Sequence, residues 1–238
     1  MVNDMIRSLR NGMVPIHREG YPFIAIGVII TVALWVFGTW VGWIFALITA
    51  WVTYFFRDPP RVTPVHPDLV VSGADGRISS VSRAVPPPEL DLGTEPLPRV
   101  CVFMNVVNVH VNRAPVAGRI ERIVYTPGKF VNAELDKASE DNERNALVLE
   151  TQEGRLVGVV QIAGLVARRI VSFVQEGGRL EPGQRIGLIR FGSRVDHYLP
   201  EDAEILCQVG QTATAGETVI ARLGSGAGHP APVRWRSD

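Results

Sequence analysis

The sequence has no excess of either charge and very little cysteine. Its 238 residues include 24 Lys and Arg and 24 Asp and Glu, so the formal net charge is zero. Proteins that bind nucleic acid normally carry a marked basic excess, and the balance therefore argues against a nucleic-acid partner. Cys101 and Cys207 lie far apart in apolar, strand-like runs. We expect buried free thiols in a reducing compartment, with a disulfide as the alternative. No Cys/His cluster has the spacing of zinc ligands, and we expect no metal.

Charged side chains are missing altogether from residues 21–56. A secretory signal has a shorter apolar core and a small-residue cleavage site, so this segment does not match one. As a single helix it would be roughly 54 Å long, against a hydrocarbon core of about 30 Å. Gly38-Thr39 and Gly42 lie near its middle and offer a place to turn. The pattern predicts an N-terminal apolar helical hairpin.

The surroundings of this hairpin indicate how it meets a membrane. It follows a polar lead-in, residues 1–20, and arginines flank it on both sides. These are Arg7, Arg10 and Arg18 before it, and Arg57 and Arg61 after it. By the positive-inside tendency both ends should face the cytoplasm. We therefore expect residues 21–56 to associate with the cytoplasmic face of the cell membrane as a tight or re-entrant hairpin. The alternative is a buried hairpin in a soluble protein.

Long amphipathic helices are absent after Pro59-Pro60, which end the apolar run. Residues 57–238 instead contain short runs rich in β-branched residues, separated by glycine and proline. The predicted strands are residues 69–71, 99–103, 106–111, 119–125, 146–150 and 156–162. Residues 85–98 and 137–145 are predicted loops, and residues 162–174 fit either strand or short helix.

An internal repetition gives the fold class. Gly177 is followed six residues later by Gly183, and Gly210 six residues later by Gly216, each pair with apolar runs around it. Each copy indicates a strand, a glycine-marked turn and a second strand, as in lipoyl- and biotinyl-type hairpins. We predict a mainly β protein, in which residues 57–238 form a compact antiparallel domain of barrel-sandwich type.

The pair Gly192-Ser193 is the candidate reactive site. A serine hydroxyl can attack the carbonyl carbon of the preceding residue and turn the amide into an ester. Elimination then cuts the chain, and the resulting dehydroalanine hydrolyses to a pyruvoyl group, an electron sink. Gly192 lacks a Cβ and can expose its carbonyl to that attack. Gly-Ser pairs usually occupy turns, however, so the dipeptide alone does not predict this chemistry.

Self-cleavage needs a base and groups that stabilise charge. The chain has five histidines, His17, His66, His110, His197 and His229. His110 is the leading candidate because it lies in an apolar run that ends at Pro115, although a structural histidine is the alternative there. Asp75, in an Asp-Gly turn signal, could orient and charge-stabilise such a base as in a hydrolase triad.

The ordered motifs of the chain resemble those of the short bacterial phosphatidylserine decarboxylases, which are pyruvoyl-dependent. The matching motifs are residues 55–59, 74–76, 108–110, 142–145, 161–169, 189–196 and 198–200. The resemblance implies a proenzyme that cleaves itself between Gly192 and Ser193. It would give a β chain, residues 1–192, and an α chain, residues 193–238, that begins with the pyruvoyl cofactor. Asp75 and His110 match the Asp and His that assist processing and catalysis.

One position departs from the longer relatives. They carry H-x-x-H where this chain has His110 followed by Arg113. The roles of the second histidine then fall to His110, to another residue or to water.

The resemblance also implies the reaction and its partners. It predicts a membrane-associated carboxy-lyase of phospholipid biosynthesis that converts phosphatidylserine to phosphatidylethanolamine and CO2, through a Schiff base between the serine amine and the pyruvoyl group of residue 193. The partners are the phospholipid, the membrane and the two chains of one proenzyme, and a homo-oligomer is left open. Candidate contacts to the lipid phosphate are Arg113, Arg168, Arg169 and Arg194. The alternatives are a decarboxylase of archaetidylserine, and a non-catalytic membrane-anchored lipoyl-like adaptor.

Overall fold

The structure is a computed structural model with two compact units, which divide after Pro60. It describes residues 14–128, 142–164, 169–190, 193–224 and 234–237.

The first unit contains the predicted helical hairpin. Helix α1 spans Tyr21–Val36 and helix α2 spans Val41–Phe55. The turn between them uses Gly38 at a φ of 70°, a conformation that glycine adopts without strain. The helices approach closely at Gly27, where an added Cβ would lie 2.5 Å from Thr49 Oγ1.

The hairpin is closed at its base and apolar on its outside. Backbone N–H groups of His17 and Asp58 donate to the carbonyls of Phe56 and Pro15, which ties the two ends together. Residues 18–36, a 3₁₀ turn plus α1, are long and apolar enough to cross a membrane, whereas α2 is shorter. Several large apolar side chains are exposed, among them Phe37, Trp40, Trp43 and Leu47.

The second unit is built almost entirely of strands. In chain order they are β1 Val62–Val65, β2 Leu69–Val71, β3 Gly76–Ala84, β4 Leu97–Met104, β5 Val111–Arg113, β6 Gly118–Thr126, β7 Arg144–Glu150, β8 Leu156–Ala163, β9 Ile170–Ser172, β10 Arg179–Leu180, β11 Arg185–Ile189, β12 Ser193–Tyr198, β13 Glu204–Ile205, β14 Thr212–Ala213, β15 Val219–Arg222 and β16 Arg234–Ser237. Every described strand pairing is antiparallel. The predicted fold class is confirmed.

The main sheet has eight strands in the order β10-β6-β7-β8-β12-β4-β3-β14. Two three-stranded sheets, β5-β11-β9 and β13-β15-β2, accompany it, and β1 pairs with β16. One face of the main sheet packs into the large apolar core, which includes Val102, Leu147, Val159 and Val195. A smaller cluster around Leu90 and Tyr198 lies on the other face. β12 therefore runs through the buried middle of the domain.

The predicted glycine repetition is present as a structural duplication. Gly177, Gly183, Gly210 and Gly216 all have φ values between 75° and 93°. Matching hydrogen bonds accompany the two copies, because Gly177 N–H donates to Ile120 O and Gly210 N–H donates to Ile78 O. Strand order shows the same symmetry, since β8 and β12 lie side by side at the centre with equivalent strands outward from them.

Two local predictions are wrong. Residues 106–111 were expected to form a strand, but only Val111 belongs to one. The side chain of Asn105 accepts from Val107 N–H, and the side chain of Asn108 accepts from Asn105 N–H, so the asparagines stabilise a turn instead. Of the predicted exposed loop 137–145, residues 137–141 lie outside the described part, but Asn142, Glu143 and Asn145 are buried.

The remaining local predictions fared better. Residues 162–174, for which the sequence fits either a strand or a short helix, contain the end of β8 and the short strand β9. Cys101 and Cys207 are buried free thiols, as expected, so the disulfide alternative is wrong.

Candidate active site

Ser193 is the first residue of β12, at the centre of the main sheet. It lies opposite Met104 of β4 on one side and Ala163 of β8 on the other. Its side chain is fully buried, and its hydroxyl donates to the sulfur of Met104 across 3.4 Å. Gly192 and Phe191 lie outside the described residues. The sheet therefore holds the serine of the predicted scissile pair in a fixed, water-poor position.

His110 lies on the connection between β4 and β5. This connection begins after Met104, the β4 residue that pairs with Ser193. It is fully buried, and its Nδ1 is 3.0 Å from the carbonyl oxygen of Asn108. A carbonyl can only accept, so Nδ1 carries the proton in the neutral ring and Nε2 carries the lone pair. The backbone oxygen of His110 accepts from Ile189 N–H, which ties it to the segment that leads into Gly192. The histidine has the tautomer that a base near this segment requires.

Asp75 lies in the turn between β2 and β3. Its carboxylate accepts two hydrogen bonds from Arg61 Nη2, at 2.7 and 2.9 Å, and one from Ala215 N–H at 2.7 Å. The first two bonds come from the residue before β1, and the third comes from the β14–β15 turn. Pairing of β3 and β12 with β4 places Gly76 about two strand spacings, or roughly 10 Å, from Ser193.

Arg113, three residues after His110, is 1% exposed. Its guanidinium donates to the carbonyl of Gly183 at 2.8 Å, and its aliphatic part approaches Gly216. An arginine stays protonated and cannot act as a base. Arg113 therefore ties the two repeated glycine turns together. Among the other candidate phosphate contacts, Arg168 lies outside the described residues.

His197 is also fully buried, but both ring nitrogens have partners within the domain. Nε2 accepts from Gly73 N–H at 2.9 Å, and Nδ1 lies 3.2 Å from the carbonyl oxygen of Val100. Burial lowers the pKa of His197 from 6.5 to about 4. This histidine is a neutral connector between β12, β4 and the β2–β3 turn, and not a second base.

The lowered pKa of His197 predicts acid sensitivity. Between pH 6.5 and about 4 the unfolded chain binds a proton at this histidine that the native chain does not, so stability falls as pH falls through that window. The loss should approach about 3 kcal/mol. Denaturant unfolding of wild type and His197→Gln at pH 7 and pH 4 measures it. The gap between the two proteins should shrink at pH 4, and a constant gap would contradict the assignment.

A buried ion pair follows Ser193 on the opposite face of β12. Arg194 donates to both oxygens of Asp196, at 2.8 and 3.0 Å, and Arg99 Nη1 lies 4.0 Å from the same carboxylate. Burial and the Asp196 charge raise the pKa of Tyr198 to about 12, and burial raises the pKa of the Cys101 thiol. Removing one partner of a buried pair typically costs about 3–5 kcal/mol. Arg194 therefore stabilises β12 through its ion pair with Asp196.

Sequence reasoning missed a chain of buried amides beside Ser193. Asn145, Gln161 and Asn112 hydrogen-bond in series and end at the sulfur of Met104. The available signal was three amide side chains next to apolar residues in short strand-like runs.

Comparisons with known proteins identify the family of the chain. A sequence model of the family described as "Phosphatidylserine decarboxylase" matches residues 48–221. A protein of Xanthobacter autotrophicus named "Phosphatidylserine decarboxylase proenzyme" is 64% identical over 219 residues, which cover 92% of this chain and 94% of that protein. A protein of the same name from Nitrobacter winogradskyi is 59% identical over 215 residues, covering 90% of this chain and 87% of that one. The chain therefore belongs to the phosphatidylserine decarboxylase family and is a decarboxylase, a carboxy-lyase.

Proposed function

We propose that this protein is a self-processing proenzyme that decarboxylates phosphatidylserine to phosphatidylethanolamine and CO2 in phospholipid biosynthesis. Cleavage between Gly192 and Ser193 would give a β chain, residues 1–192, and an α chain, residues 193–238, headed by a pyruvoyl group. The observation that carries the proposal is the buried Ser193 at the start of a central strand. Its partner on β4 is Met104, the last residue before the connection that bears His110. The names of the curated relatives support the substrate and the proenzyme state.

Processing uses groups of this chain and one water molecule. Ser193 Oγ adds to the Gly192 carbonyl carbon while His110 takes the hydroxyl proton. His110 then gives this proton to the leaving nitrogen as the C–N bond breaks, which yields an ester and an amine. Loss of the Cα proton of residue 193 then expels the Gly192 carboxylate, and water converts the dehydroalanine to a ketone with release of ammonia. The Cβ of residue 193 then becomes a methyl group, an apolar group that can pack against the buried Met104 side chain.

Decarboxylation requires an electron sink, a pocket and a proton donor. A pyruvoyl group at residue 193 supplies the sink by offering a ketone to the substrate's amine. His110 or water returns a proton to the carbon that loses CO2. The buried setting of Ser193 excludes bulk water and strengthens the electrostatic interactions of His110. The helical hairpin would keep the domain at the cytoplasmic face of the cell membrane, where the diacyl substrate resides.

Asp75 is proposed to assist by its charge. Proton transfer from Ser193 makes His110 cationic, and a carboxylate near the site stabilises that cation without touching it. Asp75→Asn should slow self-cleavage by about tenfold or more. Arg61→Gln is the matched control because it removes the ion pair but keeps the charged Asp75 and its bond to Ala215. Pulse-chase gels of both variants give the rates. An equal loss in both would assign the effect to the ion pair instead.

A direct assay tests the reaction and its rivals. Purified protein should release CO2 from vesicles of diacyl phosphatidylserine, and cyanoborohydride should block it only when the lipid is present. A diether serine lipid in parallel separates phosphatidylserine from archaetidylserine as the preferred substrate. Membership of a decarboxylase family argues against the non-catalytic adaptor. Preference for the diether lipid, or no CO2 from either, would contradict the proposal.

A further inference from the structure

The sulfur of Met104 accepts two hydrogen bonds at the candidate site. One comes from Ser193 Oγ at 3.4 Å and the other from Asn112 Nδ2 at 3.5 Å. All three side chains are fully buried, and Met104 is the β4 residue directly opposite Ser193. A thioether is a weak acceptor with no proton to give, so it can orient a hydroxyl while holding its proton only loosely.

The position of this sulfur is set by the amide chain behind it. Gln161 Nε2 donates to Asn112 Oδ1 at 2.7 Å, and Asn145 Nδ2 donates to Gln161 Oε1 at 2.9 Å. Because sulfur can only accept, Asn112 must present its NH2 group to Met104 and its oxygen to Gln161. Gln161 must then present its NH2 group to Asn112 and its oxygen to Asn145, so Asn145 donates through its own NH2 group. The series of amide hydrogen bonds therefore runs in one direction, from β7 through β8 to β5, and ends at the Met104 sulfur beside Ser193.

We propose that Met104 is a positioning residue for the self-cleavage of Gly192–Ser193, held in place by Asn112, Gln161 and Asn145. This inference rests on the proposed function above. The sulfur fixes the Ser193 hydroxyl in one rotamer, and the weak O–H···S bond breaks at little cost when His110 takes the proton. An apolar side chain in its place would release the hydroxyl to rotate or to bond a stronger acceptor, and fewer molecules would be poised for attack.

A purely structural role for the same residues makes a different prediction. If the amide chain only satisfies buried polar groups, cleavage should slow in proportion to any loss of stability. If Met104 positions Ser193, cleavage should slow beyond what stability explains. Met104→Leu conserves volume and removes the acceptor. Val102→Ala is the matched control, because it opens a cavity on the same strand and face, at the residue that pairs with Val195 and not with Ser193.

The experiment follows cleavage of freshly synthesised precursor on denaturing gels, with thermal unfolding of each variant. Met104→Leu should cleave about tenfold more slowly, the effect of about one hydrogen bond. Met104→Gln, which restores an acceptor of similar length, should recover part of the rate, and Val102→Ala should stay within about twofold of wild type. Wild-type speed in Met104→Leu, or an equal slowing in Val102→Ala, would overturn the inference.

A second variant covers a folding failure. If Met104→Leu does not fold, Asn112→Leu keeps the sulfur but removes the donor that fixes it, and should slow cleavage by a smaller factor than loss of the sulfur. Unchanged cleavage in Asn112→Leu would then overturn the inference. If wild type itself stays uncut, the proposed function fails, and that outcome is distinct from a wild type that cleaves while the variants match it.

Discussion

Replacing Ser193 with alanine should leave the protein as one uncut chain of 26.1 kDa. Wild type should separate into residues 1–192 and 193–238, because we propose that the hydroxyl of Ser193 attacks the Gly192 carbonyl. The same substitution should abolish labelling by a carbonyl-trapping reagent such as a hydrazide, and with it all release of CO2. Denaturing gels and labelling of the small fragment measure both effects. The expected change is complete loss, not a partial decrease.

The matched control for this experiment is Ser80→Ala on β3. Ser80 is a half-buried serine of the same sheet whose hydroxyl donates to Ser82 Oγ at 3.4 Å. It should leave cleavage and labelling as in wild type. A Ser193→Ala protein that still divides at residue 193 would show that another group makes the cut.

His110→Gln should slow self-cleavage by about 10²- to 10⁴-fold, the usual contribution of a positioned base. Glutamine keeps a polar side chain of similar size but cannot accept the Ser193 proton. The buried position of His110 and its bond to Asn108 allow no bulk water to replace it at full efficiency. Pulse-chase gels give the rate, and circular dichroism checks the fold.

Two other histidines serve as comparisons for His110. His66→Gln, in a loop, should cleave as wild type. His197→Gln should lose stability, yet cleave much faster than His110→Gln once compared well below its unfolding temperature. If His197→Gln were the slower of the two, the base would have to be reassigned, because His110 would not be the group that takes the proton.

Local sequence patterns predicted much of the fold because they reflect local physics. An uncharged run from residue 21 to residue 56 has few options besides a buried or membrane-bound hairpin. The glycines of the repeat predicted turns because each requires a left-handed backbone. Residues 106–111 misled the same reasoning, since their valines favour a strand while Asn105 and Asn108 form a turn through side-chain bonds.

Features of the candidate site that depend on long-range packing were harder to predict. Nothing local shows that Asn112, Gln161 and Asn145 meet, because they lie on three strands that the sheet and its neighbour bring together. Asp75 was expected to support His110, yet its bonds run to Arg61 and Ala215. The position of Ser193 at the start of a central strand follows from pairing with β4 and β8, which are remote in sequence.

The partners of Arg113 and His197 have a physical consequence for the mechanism. The arginine donates a hydrogen bond to the Gly183 carbonyl, and the ring nitrogens of His197 contact Gly73 N–H and the Val100 carbonyl. His110 is the base in the proposed function. Proton removal during processing and proton return after loss of CO2 would then depend on one imidazole or on water.

The intact mass of the C-terminal fragment tests the central claim most directly. After cleavage, residues 193–238 should be lighter than the same fragment with an N-terminal serine by the mass of one ammonia, and should gain mass with a hydrazide. A fragment that begins with unmodified Ser193, or a chain that stays whole, would contradict the account.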